Sequence, residues 1–268
     1  MRKIFTATAI SMALATSAPV FAHSNFSDSC NINFEGELQF KEDILSITLK
    51  NGDIANFTAD GEVSINGEYL SLDSAQSNAA QQYYSAITES IPQTAEIAID
   101  ALEVASVAVT EAFGELLGYD DPLVVDFEDF FATLHVKVND QFYAADGSFH
   151  MKSSDSEDGS WVNPTWESEL EEQIEDMVER SIGRILVAVG TEMVMSGGDM
   201  SAFESRMENF GERIEQRVEF NTEELEHKAD QLCMTLSTAD VAESKLASSV
   251  DALSTLDMLD IENPRFKM

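Results

Sequence analysis

The chain has 268 residues, of which 50 are acidic and 15 basic, so its net charge is −35. A surface this negative repels the phosphates of nucleic acids and anionic lipid headgroups, which excludes both as partners. The carboxylates are spread over nearly every segment. This dispersion favours a solvated surface adapted to a salty exterior over a dedicated acidic binding site.

Residues 1–22 have the pattern of a secretory signal peptide. Two basic residues, Arg2 and Lys3, precede an apolar run that ends at Leu14, and small residues stand at −3 and −1 of a cleavage site after Ala22. The run is shorter than the roughly 20 residues that a membrane span needs. Cleavage leaves 13 basic residues against 50 acidic ones, a net charge of −37. No second long apolar run follows, so we expect a soluble periplasmic protein.

Residues 30–72 predict a small antiparallel β meander. Apolar and polar residues alternate at the strand period, and Asn51-Gly52, Asp60-Gly61 and Asn66-Gly67 are typical of tight hairpin turns. Asp73 or Ser71 then caps a helix whose apolar residues repeat at helical spacing. We expect Pro92 to interrupt this helix.

Residues 93–117 predict a central helix that is covered on most of its circumference. Only a narrow strip of Glu96, Asp100, Glu103 and Glu111 is polar. Each of the first three carboxylates costs about 2.5 to 3.5 kcal/mol near a bilayer centre, which excludes a membrane span. The helix therefore belongs to a bundle.

The segment in which the sheet ends and the first helix begins resembles the corresponding segment of a known family. The hairpin DGEVSINGEYLSL leads into the Gln-rich, Tyr-containing helix AQSNAAQQYYSAITESIP, a long Ala/Val helix follows, and one cysteine stands near each end of the mature chain. This layout resembles the YggN-like family, secreted envelope proteins of Gram-negative bacteria whose domain has no assigned function. The resemblance implies a periplasmic location and supplies no catalytic residues.

Three more helices are predicted beyond Gly118. The first has an aromatic face, the second spans about 166–195 and stops at Gly197-Gly198, and the third spans about 201–236 with Cys233 near its end. The aromatic face consists of Phe127, Phe130, Phe131, Leu134, Val138 and Phe142. The tail 240–259 has a weaker stripe of Val241, Leu246, Val250, Leu253 and Leu256.

These elements define an α+β fold that is predominantly α. We expect one domain, residues 23–268, in which the meander packs on an elongated bundle of long antiparallel helices formed by residues 73–259.

No motif in the chain defines a catalytic, cofactor-binding or metal site. Phosphate loops, nucleophile elbows, HExxH and CxxC are all absent from the sequence. The segment 153–165 resembles a calcium loop, but Ser154, Ser156 and Thr165 stand where acidic ligands belong. His23, as the predicted mature N-terminus, offers an amine and an imidazole to copper, although copper sites usually need a further histidine.

The other titratable residues are less specific. His135 lies beside the apolar face of its helix, and His150 and His227 are spaced too irregularly to define a site. The acid pairs Asp120-Asp121 and Asp126 with Asp129 are suited to acid–base work, but pairs arise by chance among 50 carboxylates.

Three function classes therefore remain open. The first is a non-enzymatic envelope protein that binds another envelope protein or a second copy of itself through helix faces or a sheet edge. The second is a carboxylate-based hydrolase, and the third a divalent-cation-binding protein. Converging acids and a histidine in a cleft would favour the enzyme, whereas an exposed apolar stripe on helix 166–195 or 201–236 would favour the binder.

The two cysteines, Cys30 and Cys233, are expected to form a disulfide. They are the only cysteines in the chain, and an oxidising compartment favours pairing them over leaving two thiols. Separately buried thiols are the alternative. A disulfide requires the first strand to begin beside the last predicted helix, with Cα atoms roughly 4.4 to 6.8 Å apart.

The signal peptide yields a first prediction. Export should be accompanied by cleavage after Ala22, because the basic n-region, the short apolar run and the small residues match what signal peptidase recognises. The intact mass of exported protein should correspond to residues 23–268. A mass that still includes residues 1–22 would contradict the periplasmic assignment.

Overall fold

The computed structural model of the protein describes residues 30–142, 147–152, 164–199 and 201–262. The strands in these residues are β1 (Asn31–Phe34), β2 (Glu37–Lys41), β3 (Ile44–Thr48), β4 (Ile54–Thr58), β5 (Val63–Ile65), β6 (Glu68–Tyr69), β7 (Phe149–Lys152) and β8 (Leu259–Glu262). The helices are α1 (Ser74–Leu117), α2 (Pro122–Phe142), α3 (Pro164–Met195) and α4 (Ser201–Ser249), and a 3₁₀ turn spans Asp251–Leu253.

The predicted α+β class, predominantly α, is confirmed. Six strands form an antiparallel sheet in the order β6-β5-β4-β3-β2-β7, while β1 and β8 form a separate two-stranded ribbon. The six-stranded sheet packs on the first half of α1, where the Phe57 and Tyr83 rings meet edge to face at 5.2 Å. Sheet, ribbon, α1 and the end of α4 share one core.

The turns between strands show which hairpins the sequence alone can predict. Asn66 and Gly67 have φ of 50° and 87° between β5 and β6, as the Asn-Gly pair predicts. The turn between β2 and β3 also has two positive φ values, at Glu42 and Asp43, and no glycine or asparagine marks it in the sequence. Gly61 lies so close to α1 that a Cβ there would stand 2.4 Å from the Ser77 carbonyl oxygen.

Helix α1 begins as predicted and ends at Leu117, the predicted end of the central helix, but the two predicted helices are one. The Asp73 carboxylate accepts from the N–H groups of Ala75 and Gln76, and the Gln76 side chain accepts from the Asp73 N–H, which forms a capping box. The prediction that Pro92 interrupts the helix is wrong, because α1 runs through it. Pro92 is exposed while Ala95 is buried in the core, so water can reach the carbonyl that loses its partner.

Residues 93–117 are less covered than their pattern indicates. The buried residues of α1 are concentrated in its first half, where the sheet lies, and most residues after Ala95 are half-buried. The predicted polar strip meets a cation from α4, since Lys228 Nζ lies 2.8 Å from Glu96 Oε1 and 2.5 Å from Asp100 Oδ2. These carboxylates raise the pKa of Lys228 and hold α4 against α1.

Helix α3 ends before Gly197-Gly198 as predicted, whereas α4 does not stop at Leu236. No glycine or proline occurs between Leu236 and Ser249, so nothing in the sequence stops the helix before Ser249. The sequence predicts neither β7 nor β8: β7 lies within the range assigned to helices, and β8 begins at the last residue of that range, Leu259. In the described residues no helix is both long and apolar enough to cross a membrane.

The structure joins Cys30, which directly precedes β1, to Cys233 on α4. Their Cα atoms are 6.1 Å apart, within the range expected from the sequence. The bond closes a loop with a sequence separation of 203 residues, and Cys233 is buried in the core. The ribbon strand β1 is thereby attached to the helical part of the fold.

The disulfide yields a second prediction. The denatured, unreduced protein should take up no iodoacetamide and two equivalents after reduction. Replacing both Cys30 and Cys233 by serine should lower the free energy of unfolding by up to about 5 kcal/mol, because the closed loop is long. Uptake of two equivalents without reductant would refute the bond, and a single-serine variant that forms intermolecular dimers serves as the positive control for a free thiol.

Candidate functional site

The most deeply buried charged group in the described residues is Glu243 of α4, which is 3% exposed. Its Oε2 accepts from the Tyr83 hydroxyl of α1 at 2.8 Å. Its Oε1 accepts from the backbone N–H groups of Met258 at 2.7 Å and Leu259 at 3.2 Å. One carboxylate therefore binds α1, α4 and the start of β8 together.

Burial dominates the electrostatics of this group. Burial raises the pKa of the Glu243 carboxyl above its usual value, and the charge of Asp240 adds to this, while the hydrogen bonds from Leu259, Tyr83 and Met258 oppose it. Burial and then the Glu243 charge raise the pKa of the Tyr83 phenol well above its usual value. The phenol therefore stays protonated and donates to the carboxylate.

A cavity of about 290 Å³ lies beside this cluster, between the β1–β8 ribbon and the β2–β7 edge of the large sheet. We call it the inter-sheet cavity. Helix α1 contributes Tyr83, Ile87, Ser90, Ile91 and Thr94, and α4 contributes Leu232 and Leu236. Phe142 at the end of α2 stacks on Phe149 of β7 at a centroid distance of 5.5 Å and completes the wall.

The polar groups of the inter-sheet cavity are few. Ser90 and Thr94 each donate to a carbonyl of their own helix at 2.8 Å, and Tyr83 donates to Glu243. No charged residue occurs among the described lining residues. A mostly apolar lining with a few hydroxyl groups is typical of a binding pocket.

None of the described histidines is among the residues that line this pocket. His135 is exposed on α2, His150 of β7 lies 2.8 Å from Glu37 Oε1, and the His227 ring lies 3.1 Å from Gln231 of α4. No group of three or more metal-ligating side chains occurs in the part of the chain that the structure describes. His23 and most of the calcium-like segment, residues 153–163, lie outside that part.

The acid pairs serve the packing of helices. Asp121 accepts from the Leu123 N–H at 2.9 Å at the start of α2 and pairs with Arg184 of α3 at 3.2 Å. Asp126 of α2 forms an ion pair with Arg180 of α3. These contacts attach α3 to α2.

The outer side of α3 is the second candidate surface. Met177 and Ser181 are buried, whereas an apolar row at four-residue spacing is exposed along the middle of the helix, from Ile174 at 45% to Leu186 at 69%. This α3 stripe consists of Ile174, Val178, Ile182 and Leu186. Each of Glu171, Glu175 and Glu179 stands three residues before a member of the stripe and is exposed, so the carboxylates border it.

Glu243 and the cavity were missed from the sequence. The predicted tail stripe included Val241, which is 68% exposed, whereas the buried face carries Ala239, Ala242 and Leu246. Glu243 shares that face, so an acid at an apolar position was the available signal. The α3 stripe, in contrast, had been named as a discriminating feature.

A family model described as "Protein of unknown function (DUF2884)" matches residues 30–259, which is most of the chain. The chain belongs to this family. Two relatives, each named "Uncharacterized protein YggN", come from Escherichia coli strain K12 and from Escherichia coli O157:H7. Each is 25% identical over 187 residues, covering 68% of this chain and 75% of the relative. The predicted resemblance to YggN-like proteins is confirmed. No solved structure matches the chain.

The buried carboxylate yields a third prediction. Glu243→Leu should lower the free energy of unfolding by at least about 2 kcal/mol, because it leaves two N–H groups and a phenol unpaired. Glu243→Gln removes the buried charge and keeps both backbone bonds, since its carbonyl can accept from the two N–H groups. Its amide can donate to the phenol oxygen, which reverses the third bond. At neutral pH the glutamine variant should be at least as stable as the unmodified protein.

The same variants test the pKa. Because the folded-state pKa is raised above the ordinary value of 4.5, the stability due to Glu243 is full below that value and falls as the pH rises through the raised pKa. The stability difference should therefore move in favour of Glu243→Gln as the pH rises above 4.5. Glu223→Gln, at an exposed position of α4, is the matched control. A pH-independent difference for Glu243→Gln would contradict the raised pKa.

Proposed function

We propose that this protein is a non-enzymatic periplasmic protein that binds an amphipathic, basic segment of another envelope protein through the α3 stripe. The observation that carries the proposal is the exposed apolar row on α3. Contact between these apolar side chains and water is unfavourable, and the protein avoids this cost when another surface covers the row. Helix faces of this kind bind amphipathic helices through residues at i and i+4 spacing.

The location rests on two independent features. The N-terminal residues have the pattern of a signal peptide, and the Cys30–Cys233 bond fits an oxidising compartment better than a reducing one. The family match supports neither catalysis nor a location by itself. The periplasmic assignment therefore depends on the exported mass described above.

The chemistry of the partner follows from the charges around the stripe. Helix α3 has only two basic residues, and both form ion pairs, Arg180 with Asp126 and Asp176 and Arg184 with Asp121. The border formed by Glu171, Glu175 and Glu179 therefore presents negative charge to a binding partner. A segment with an apolar face and flanking lysines or arginines complements this border.

A second copy of the chain is a poorer occupant. Two α3 stripes brought together would oppose the same row of glutamates on each copy, and each chain has a net charge of −35. Like charges in apposition oppose association at low salt. Self-association is therefore an outcome that the test must distinguish.

The fourth prediction uses two labelled peptides of about 18 residues, which is five helical turns. One is an amphipathic Leu/Lys helix and the other a Leu/Glu helix with the same apolar face. Fluorescence anisotropy should show at least about tenfold tighter binding of the Leu/Lys peptide at low salt, with the difference shrinking as salt screens the charges. Equal binding of both peptides would contradict the proposal.

Variants locate the binding surface. Ile182→Glu combined with Leu186→Glu should abolish binding of the Leu/Lys peptide even though it adds negative charge, because binding needs the apolar row. Val136→Glu, at an exposed position of α2, adds charge outside the stripe and should leave binding intact. Sedimentation that shows dimers dissociated by the α3 variant would replace the proposed partner with a second copy.

A further inference from the structure

We propose that the inter-sheet cavity binds a small neutral aliphatic molecule, such as a medium-chain alcohol. The proposal does not depend on the α3 stripe, because no α3 residue is among the described residues that line the cavity. It rests on the size of the cavity, its lining and the charge around it.

The size is that of a pocket and not of a gap in core packing. Natural cores contain few voids larger than a water molecule, whereas this apolar space has a volume of about 290 Å³ and opens beside exposed residues of β1. Ligand pockets begin at roughly this size. An apolar cavity of about 150 Å³ holds one benzene molecule, so this space suits a molecule of about ten to twelve carbons.

The lining gives the ligand an orientation. Tyr83 and Ile87 are buried, so we take their end of the cavity as its floor. Ile32 and Asn33 of β1 are exposed, so we take their end as its mouth. The aliphatic chain therefore lies on the floor against the aromatic and aliphatic wall. A hydroxyl on the ligand can donate to the Thr94 oxygen, whose own hydrogen is donated to the Ser90 carbonyl.

The charges select a neutral headgroup. No lysine or arginine is among the described lining residues, so a carboxylate at the mouth would have no counter-ion there. The net charge of −35 adds a long-range repulsion. An alcohol avoids both penalties, and this distinguishes the proposed ligand from a fatty acid with the same chain.

The experiment follows the methionine methyl groups of the full chain by NMR. Met151 and Met258 line the cavity, while Met193 and Met195 are exposed near the end of α3. After selective ¹³C labelling and removal of bound lipid, titration with 1-decanol should shift the Met151 and Met258 signals saturably at one molecule per chain. Decanoate should bind at least about tenfold more weakly, because of its charge.

A cavity-filling variant provides the second arm. Ile91→Phe places a larger side chain in the cavity and should weaken decanol binding at least about tenfold, since the filled volume is no longer available. Ile99→Phe, on the same helix but away from the cavity, is the matched control. If Ile91→Phe does not fold, Leu232→Phe fills the cavity from α4 instead.

Three results would overturn the proposal. The first is no saturable shift of Met151 or Met258 up to the solubility limit of decanol. The second is equal binding of decanoate, which would remove the selection for a neutral headgroup. The third is a shift confined to Met193 and Met195, or binding that survives in both filled variants, because either result would place the molecule outside the cavity.

Discussion

The fold depends on a closed circuit of contacts in which the Glu243 carboxylate joins the last strand to α4. Glu243 holds the N–H groups of Met258 and Leu259, β8 pairs with β1, and Cys30 beside β1 is bonded to Cys233 on the same helix as Glu243. A two-stranded ribbon alone is at best marginally stable in water. Here it is fixed to α4 at both strands, and so it can serve as one wall of the inter-sheet cavity.

Four of the few cations bridge separate elements of the fold. Lys228 bridges α4 to α1, Arg180 and Arg184 bridge α3 to α2, and Lys50 bridges the β3–β4 turn to Asp257 before β8. Exposed pairs of this kind contribute little stability individually. Their effect is to place positive charge at the contacts between elements, so the outer surface, including the border of the α3 stripe, remains acidic.

Local signals predicted those parts of the fold whose causes are local. The Asn66-Gly67 turn, the Asp73 cap and the end of α3 at Gly197-Gly198 all depend on the conformations that a few neighbouring residues can adopt. The run of α1 through Pro92 could not be predicted in this way, because packing of the flanking turns outweighs the lost hydrogen bond. Strands β7 and β8 are short and are defined by partners far away in the chain.

The candidate site was hidden from the sequence for a related reason. A cavity is a property of how separate elements fail to fill the space between them, and no single segment of the sequence contains that information. Only Glu243 left a local trace, as an acid on the buried face of α4.

The two candidate surfaces depend on different interactions. The disulfide and the Glu243 carboxylate hold in place the strands that form the cavity wall, whereas the α3 stripe depends on its own helix and on contacts with α1 and α2. Loss of the Cys30–Cys233 bond therefore affects the cavity wall directly. It affects α3 only through the rest of the fold.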